Sequence, residues 1–161
     1  MKILYTRPDG GVSVVHAAEQ SDVAKYAPEV SEMTEGRFIA WIKDKDVPAD
    51  AADVRIIEDA DIPSDRHFRN AWAYDGTIKV DMPKAREIHK NNLRRERTPL
   101  LAALDVEYQR ADESGDTAKK RAIAAEKQAL RDITQHPGIA AAATPEELKT
   151  AALPALAAAG A

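Results

Sequence analysis

The residues whose types permit chemistry are few and dispersed. Four histidines stand at His16, His67, His89 and His136, without the paired spacing that a metal site uses. Asp59, Asp61 and Asp65 crowd into "DADIPSD". A calcium loop, however, needs a spaced acidic series closed by a bidentate glutamate, and Pro63 interrupts this one. A solvated turn is the favoured reading. "PDGG" at residues 8–11 lacks the lysine and following helix of a phosphate-binding loop. No G-x-S-x-G marks a serine nucleophile, and the absence of cysteine removes thiolate chemistry, thiolate metal sites and disulfides. The expectation is therefore no catalytic residue, no metal, no cofactor and no small-molecule substrate: a protein that binds, not an enzyme.

The strongest electrostatic feature is the run from Lys84 to Arg97. Lys84, Arg86, Lys90, Arg94, Arg95 and Arg97 stand against Glu87 and Glu96, a net charge of +4 with His89 neutral, in a chain whose total is -4. Such a segment can track phosphates. Its cations go around the helix, however, and no aromatic residue lies among them to stack on bases. A solvated helix that pairs with the acidic remainder of the chain is favoured. Docking on an acidic protein surface comes next, and a nucleic-acid-binding regulator last.

The elements that must position these groups fall into two grammars. At 161 residues the chain has room for one ordinary domain or a small domain with a helical extension. Tyr5, Tyr26, Phe38, Trp41, Phe68, Trp72 and Tyr74 lie in the first half and only Tyr108 beyond it, which places a compositional boundary near Asp81. Before it, the apolar run Ile3 to Tyr5, the turn at Asp9-Gly10-Gly11 and the alternation Val12, Val14, His16 predict a β-hairpin. Met33, Phe38, Trp41 and Ile42 recur at near-helical spacing and predict a short helix between Ser31 and Lys45, stopped by "VP". "DVRIIED" reads as a strand, and "FRNAWAYDGTIKVD" as a second hairpin turning at Asp75-Gly76.

After Asp81, Pro83 falls in a first helical turn, where its missing amide costs nothing. Thr98-Pro99 either starts a new helix or kinks a long one. Leu93, Leu100, Leu101, Leu104, Tyr108 and Ala111 make one apolar stripe. Gly115 in "ESGD" turns the chain, and Ala122, Ile123, Ala129, Leu130 and Ile133 make the matching stripe before "HPG". Antiparallel packing buries both. In the alanine-rich tail, Thr144, Pro145 and Glu147 form a helix start signal, and Pro154 breaks the helix beyond it. So little apolar area should leave the tail loosely held unless a partner covers it. The predicted fold is α+β: a small, mainly antiparallel sheet domain over residues 1–81, a helical hairpin over 82–138, and an alanine-rich helical tail over 139–161. "MKILYTRPDGG" is too short in apolar residues for a signal peptide, and no run approaches the roughly 18 apolar residues of a membrane span. A soluble chain without membrane contact is expected.

The order "ARE", then "RRERTPLLAALDVEY", a polar stretch and "KQALRDITQHPG" resembles the carboxy-terminal helical region of tail-fibre assembly and tail-assembly chaperone proteins of tailed bacteriophages. The resemblance covers roughly residues 85–138. Where members of that family often carry tryptophan, after the aspartate and near the terminal proline, this chain has Val106 and Ala140-Ala141. The resemblance implies a phage or prophage tail-assembly protein acting by protein–protein binding, in the host bacterial cytoplasm, on a phage tail or tail-fibre protein. The alternative is a structural minor tail or baseplate-associated component, resident in the virion tail. A homo-oligomer is compatible with both. Because arginine and aromatic anchors dominate binding energies, the candidate partner-binding residues are Arg94, Arg97, Tyr108, Arg131 and Ile133.

Overall fold

The computed structural model describes residues 2–158, with the side chains of residues 155 and 158 left aside. The last three residues of the expected tail lie outside the described residues. The chain divides into two compact units, Met1–Asp81 and Met82–Ala161.

In the first unit, β1 (Lys2–Thr6) is the central strand of a three-stranded antiparallel sheet ordered β2-β1-β3, with β2 at Val12–His16 and β3 at Ala52–Ile57. Between β2 and β3 come a single turn of helix, α1 (Gln20–Val23), and the longer α2 (Glu35–Asp46). β4 (Trp72–Tyr74) and β5 (Ile78–Val80) pair separately as a two-stranded ribbon. The fold is thus α+β with antiparallel strands throughout, in two small sheets and not one.

Side-chain alternation explains how the central strand is covered. Leu4 joins Val12, Ile57, Trp72 and Ile78 in one core, with Val14 packed against it. Ile3, one residue earlier, points to the other face and joins Val30, Phe38 and Ile42 in a second. A strand buried on both faces reads as a continuous apolar run, which is what Ile3 to Tyr5 presents. The turns are set by glycines in the left-handed region, Gly10 at φ 74° and Gly76 at φ 75°, conformations that cost other residues a steric penalty. Arg7 braces the first turn, donating from Nη1 to the Val12 carbonyl and to Ser13 Oγ, each at 3.0 Å.

The second unit is helical: α3 (Met82–Glu113), α4 (Thr117–Asp132), α5 (Pro137–Ala141), α6 (Pro145–Thr150) and α7 (Leu153–Ala158). Of the two possibilities at Thr98-Pro99, α3 takes the continuous one and carries Pro99 inside it. Gly115, at φ 69°, turns the chain, and the Asp116 carboxylate accepts the Lys119 amide at 2.9 Å to cap α4. "HPG" ends one helix and starts another: His136 Nδ1 accepts the Gly138 amide at 3.2 Å, with Pro137 in the first turn of α5.

Two expectations about the tail differ from what is observed. Pro154 does not break a helix but sits in the first turn of α7, and the chain direction changes instead at Ala152, with φ 66°. Nor is the tail bare, because Ile139, Ala142, Leu148, Ala152 and Leu156 are buried within the helical unit. Short helices present each apolar residue to the interior separately, so a small count of them suffices. No described helix is long and apolar enough to cross a membrane.

Candidate binding surface

The basic run forms the first half of α3, and its inward face is set by Ala85, His89 and Leu93, all buried, at i, i+4, i+8 spacing. A histidine on such a face must find a partner or lose its hydrogen bonds to water. His89, 3% exposed, places Nε2 2.8 Å from the Ala151 carbonyl. That carbonyl ends α6, where helical amides no longer reach.

Arg86 and Arg97 repeat the arrangement. Arg86 donates from Nε to the Ile139 carbonyl at 3.2 Å and from Nη2 to the Ala142 carbonyl at 2.9 Å, at the end of α5. Arg97 donates from Nη1 to the Leu130 carbonyl at 3.1 Å and to that of Arg131, in the last turn of α4. Residues 86, 89 and 97 therefore fasten the C-terminal ends of three successive helices. A cation also complements the negative end of a helix dipole. Two of the six cations of the basic run are thus committed inside their own unit.

The others face outward with local partners. Lys90 pairs with Glu87 at 2.7 Å, and the Lys90 hydrogen bond and charge hold the Glu87 carboxyl below its ordinary range. Arg94 and Arg95 donate to the side-chain oxygens of Asn91 and Asn92, one turn back. Lys84 also has an interaction within the chain.

Along the hairpin, Ile123, Leu130 and Ile133 are buried from the second stripe, with Leu130 at 0% exposure. Ala122 and Ala129 face solvent instead. The seam is made by Ile123, Leu130 and Ile133, at i, i+7, i+10. On α3, Leu100, Leu101, Leu104 and Tyr108 are half-buried and Ala111 buried. Charges cross-link the two helices: Glu107 to Lys119 at 3.0 Å, Asp112 to Lys120, and Asp105 to Lys127. Hydrogen bonding from Lys119, then its charge, then the Arg110 hydrogen bond lower the Glu107 pKa, and the Asp112 hydrogen bond raises that of Lys120. The Tyr108 ring lies between Lys120 and Lys127, each ammonium 5.3 Å from its centre, within cation–π range.

The five candidate partner-binding residues therefore occupy different environments. Arg94 and Arg131 are exposed. Arg97 is engaged with α4, Tyr108 is half-buried between two lysines, and Ile133, 4% exposed, is a core residue that a partner reaches only if the unit opens. Val106, 47% exposed, is an apolar position on the outer surface that the sequence did not single out as an anchor. Its i+4 neighbour Arg110 is exposed as well.

The acidic turn and His67 have local partners. Asp61 accepts the Glu58 amide at 2.9 Å, Asp65 accepts the His67 amide at 2.9 Å, and Asp59 lies 3.7 Å from Lys2. The turn thus uses its carboxylates to hold itself. His67 stands edge-on to Phe68, ring centres 4.5 Å apart. Among the described residues no group of three or more His, Cys, Asp or Glu side chains is placed to hold a metal ion. Compared with protein-family models, with curated proteins and with solved structures, the chain finds no match in any of the three.

Proposed function

We propose that the protein is a tail-assembly factor of a tailed bacteriophage or prophage, acting by binding a tail or tail-fibre protein through its helical hairpin and catalysing no reaction. The reading rests on the resemblance of residues 85–138, and one observation supports it: that segment folds as a helical hairpin of α3 and α4, cross-linked by Glu107–Lys119, Asp112–Lys120 and Asp105–Lys127. In "LRDI", Leu130 and Ile133 are buried while Arg131 and Asp132 are exposed. In "LDVEY", Asp105 cross-links to Lys127 and Val106 faces out. Each quoted motif thus separates into residues that hold the hairpin and residues left over for a partner. The working surface is Arg94, Arg95, Val106 and Arg131, with Arg97, Tyr108 and Ile133 as its support.

Co-purification from infected or induced cells tests the proposal. The expected result is a tail or tail-fibre protein recovered with the wild-type chain and lost with the Arg94→Ala, Val106→Asp, Arg131→Ala triple variant, whose helical signal is unchanged. Mass spectrometry of purified virions should find no copy of the chain. Stoichiometric presence there replaces the transient factor with a permanent minor tail or baseplate-associated component. Capture of no tail protein by a folded wild-type chain refutes the reading.

A further inference from the structure

The alternation that builds the first core ends in a polar corner. Lys2 and His16 are register partners on β1 and β2, two residues along from Leu4 and Val14, so they close the face those residues bury. The chain returns to the same corner twice. Ile57 pairs with Lys2 from the other side, which brings Asp59 beside it, and the next turn brings Ser64 and Arg66. Together with Ile62 and Pro63 these residues line an open recess of about 360 Å³.

In its lining two cations, Lys2 and Arg66, and the His16 ring stand against one carboxylate, Asp59. The Arg66 guanidinium Nη2 stands 3.5 Å from His16 Nε2 and its central carbon 6.0 Å from the centre of the Trp72 ring. Lys2 has Asp59 at 3.7 Å, longer than a charge-assisted hydrogen bond. Asp65, beside Arg66 in sequence, accepts the His67 amide. Burial, then Lys2, then Arg66 hold the His16 imidazole below its ordinary pKa, and Asp59 alone opposes them. Asp59 offsets one of the two permanent cations, and the positive charge that remains beside the His16 ring favours a bound anion.

We propose that this recess binds a phosphate group, free or as a phosphomonoester, between Arg66, Lys2 and His16, with the Ser64 hydroxyl at its edge. A phosphate suits it better than a carboxylate. Guanidinium matches two phosphate oxygens bidentately, and the remaining oxygens and the second negative charge are left for the ammonium and the imidazole. The site lies wholly in the first unit and does not depend on the tail-assembly reading.

The test is a proton NMR titration of the full chain, with the His16 ring signal identified by its loss in His16→Gln. Adding inorganic phosphate, at ionic strength held constant with sodium chloride, should raise the His16 pKa saturably by about one pH unit, as an anion within 4–6 Å does. The other three histidines should not follow. Arg66→Ala, at an exposed position that leaves the fold intact, should weaken the response at least tenfold in phosphate concentration, and Lys2→Ala should weaken it less. A response at lower concentration with O-phosphoserine than with inorganic phosphate assigns the site to phosphomonoesters, and the reverse to the free anion. Equal shifts with acetate, equal shifts in the Arg66→Ala variant, or no saturable shift each overturn the proposal.

Discussion

Replacing Arg97 with alanine removes both hydrogen bonds to the end of α4 and leaves every apolar seam residue in place. A hydrogen bond from a charged donor contributes about 1.5–3 kcal/mol when water cannot substitute. Here the Leu130 carbonyl is partly buried and that of Arg131 is exposed, so water satisfies the second once the guanidinium is gone. The net loss should be about 1.5–2 kcal/mol. For a helical unit of this size each kcal/mol lowers Tm by about 4–8 °C, giving a drop of about 6–16 °C in thermal unfolding followed by far-ultraviolet circular dichroism. Arg94→Ala, three residues away and solvent-facing, should stay within about 0.5 kcal/mol of wild type. Arg97→Lys should fall between them, because an ammonium keeps the charge at the helix end but not the fork. Coincident melting curves for Arg97→Ala and Arg94→Ala would refute the Arg97 clamp on α4.

Leu130→Asp should unfold the helical unit, because a fully buried carboxylate without a partner costs several kcal/mol, on the order of the stability of a small domain, whereas Leu104→Asp, at a half-buried position, should lower Tm without abolishing the helical signal; an unchanged Tm in Leu130→Asp would contradict the packing. His89→Ala removes the donor to the Ala151 carbonyl and leaves a cavity, so limited proteolysis should cut the 143–158 region faster than in wild type while the 82–132 hairpin stays protected. His16 has a folded pKa lowered by burial, Lys2 and Arg66, so on acidification the unfolded chain takes up its proton first. Its contribution is constant above the ordinary histidine range and is lost as pH falls through the lowered value. The urea midpoint of the first unit should therefore drop as pH falls from above the ordinary histidine range through the lowered His16 value, and His16→Gln should flatten that part of the profile.

Much of the local structure was legible in the residues because local rules govern it. Asp9-Gly10 and Asp75-Gly76 fix hairpins wherever positive φ is needed, and the apolar run Ile3 to Tyr5 and the alternation Val12, Val14, His16 placed β1 and β2 within a residue of their observed bounds. The Phe38, Trp41, Ile42 spacing found α2, and Gly115 found the turn between α3 and α4. Thr98-Pro99 could not be decided locally. The helix passes through, and Thr98 Oγ donates to the Arg94 carbonyl at 2.8 Å. The pairing of the hairpins into two sheets also lay outside any local pattern, because it depends on which apolar face meets which.

The composition and spacing by themselves determined that the chain has a β-rich first half and a helical second half, and that its basic residues concentrate at the start of the latter. They could not tell an arginine that faces a partner from one that ends a neighbouring helix. Arg94 and Arg97 stand three residues apart in one run, and the same guanidinium serves either role. The difference is the position of the α4 carbonyls, contributed more than thirty residues later in the chain. His89 alone gave a hint, as a polar residue between Ala85 and Leu93 on an otherwise apolar face, which a buried donor occupies only with an acceptor in reach. Likewise His16, Lys2 and Arg66 carry no shared spacing, since strand register and a returning turn bring them together. Only the tertiary structure decided these matters, because hydrogen-bond acceptors and neighbouring charges are properties of the folded surroundings and not of the residue that meets them.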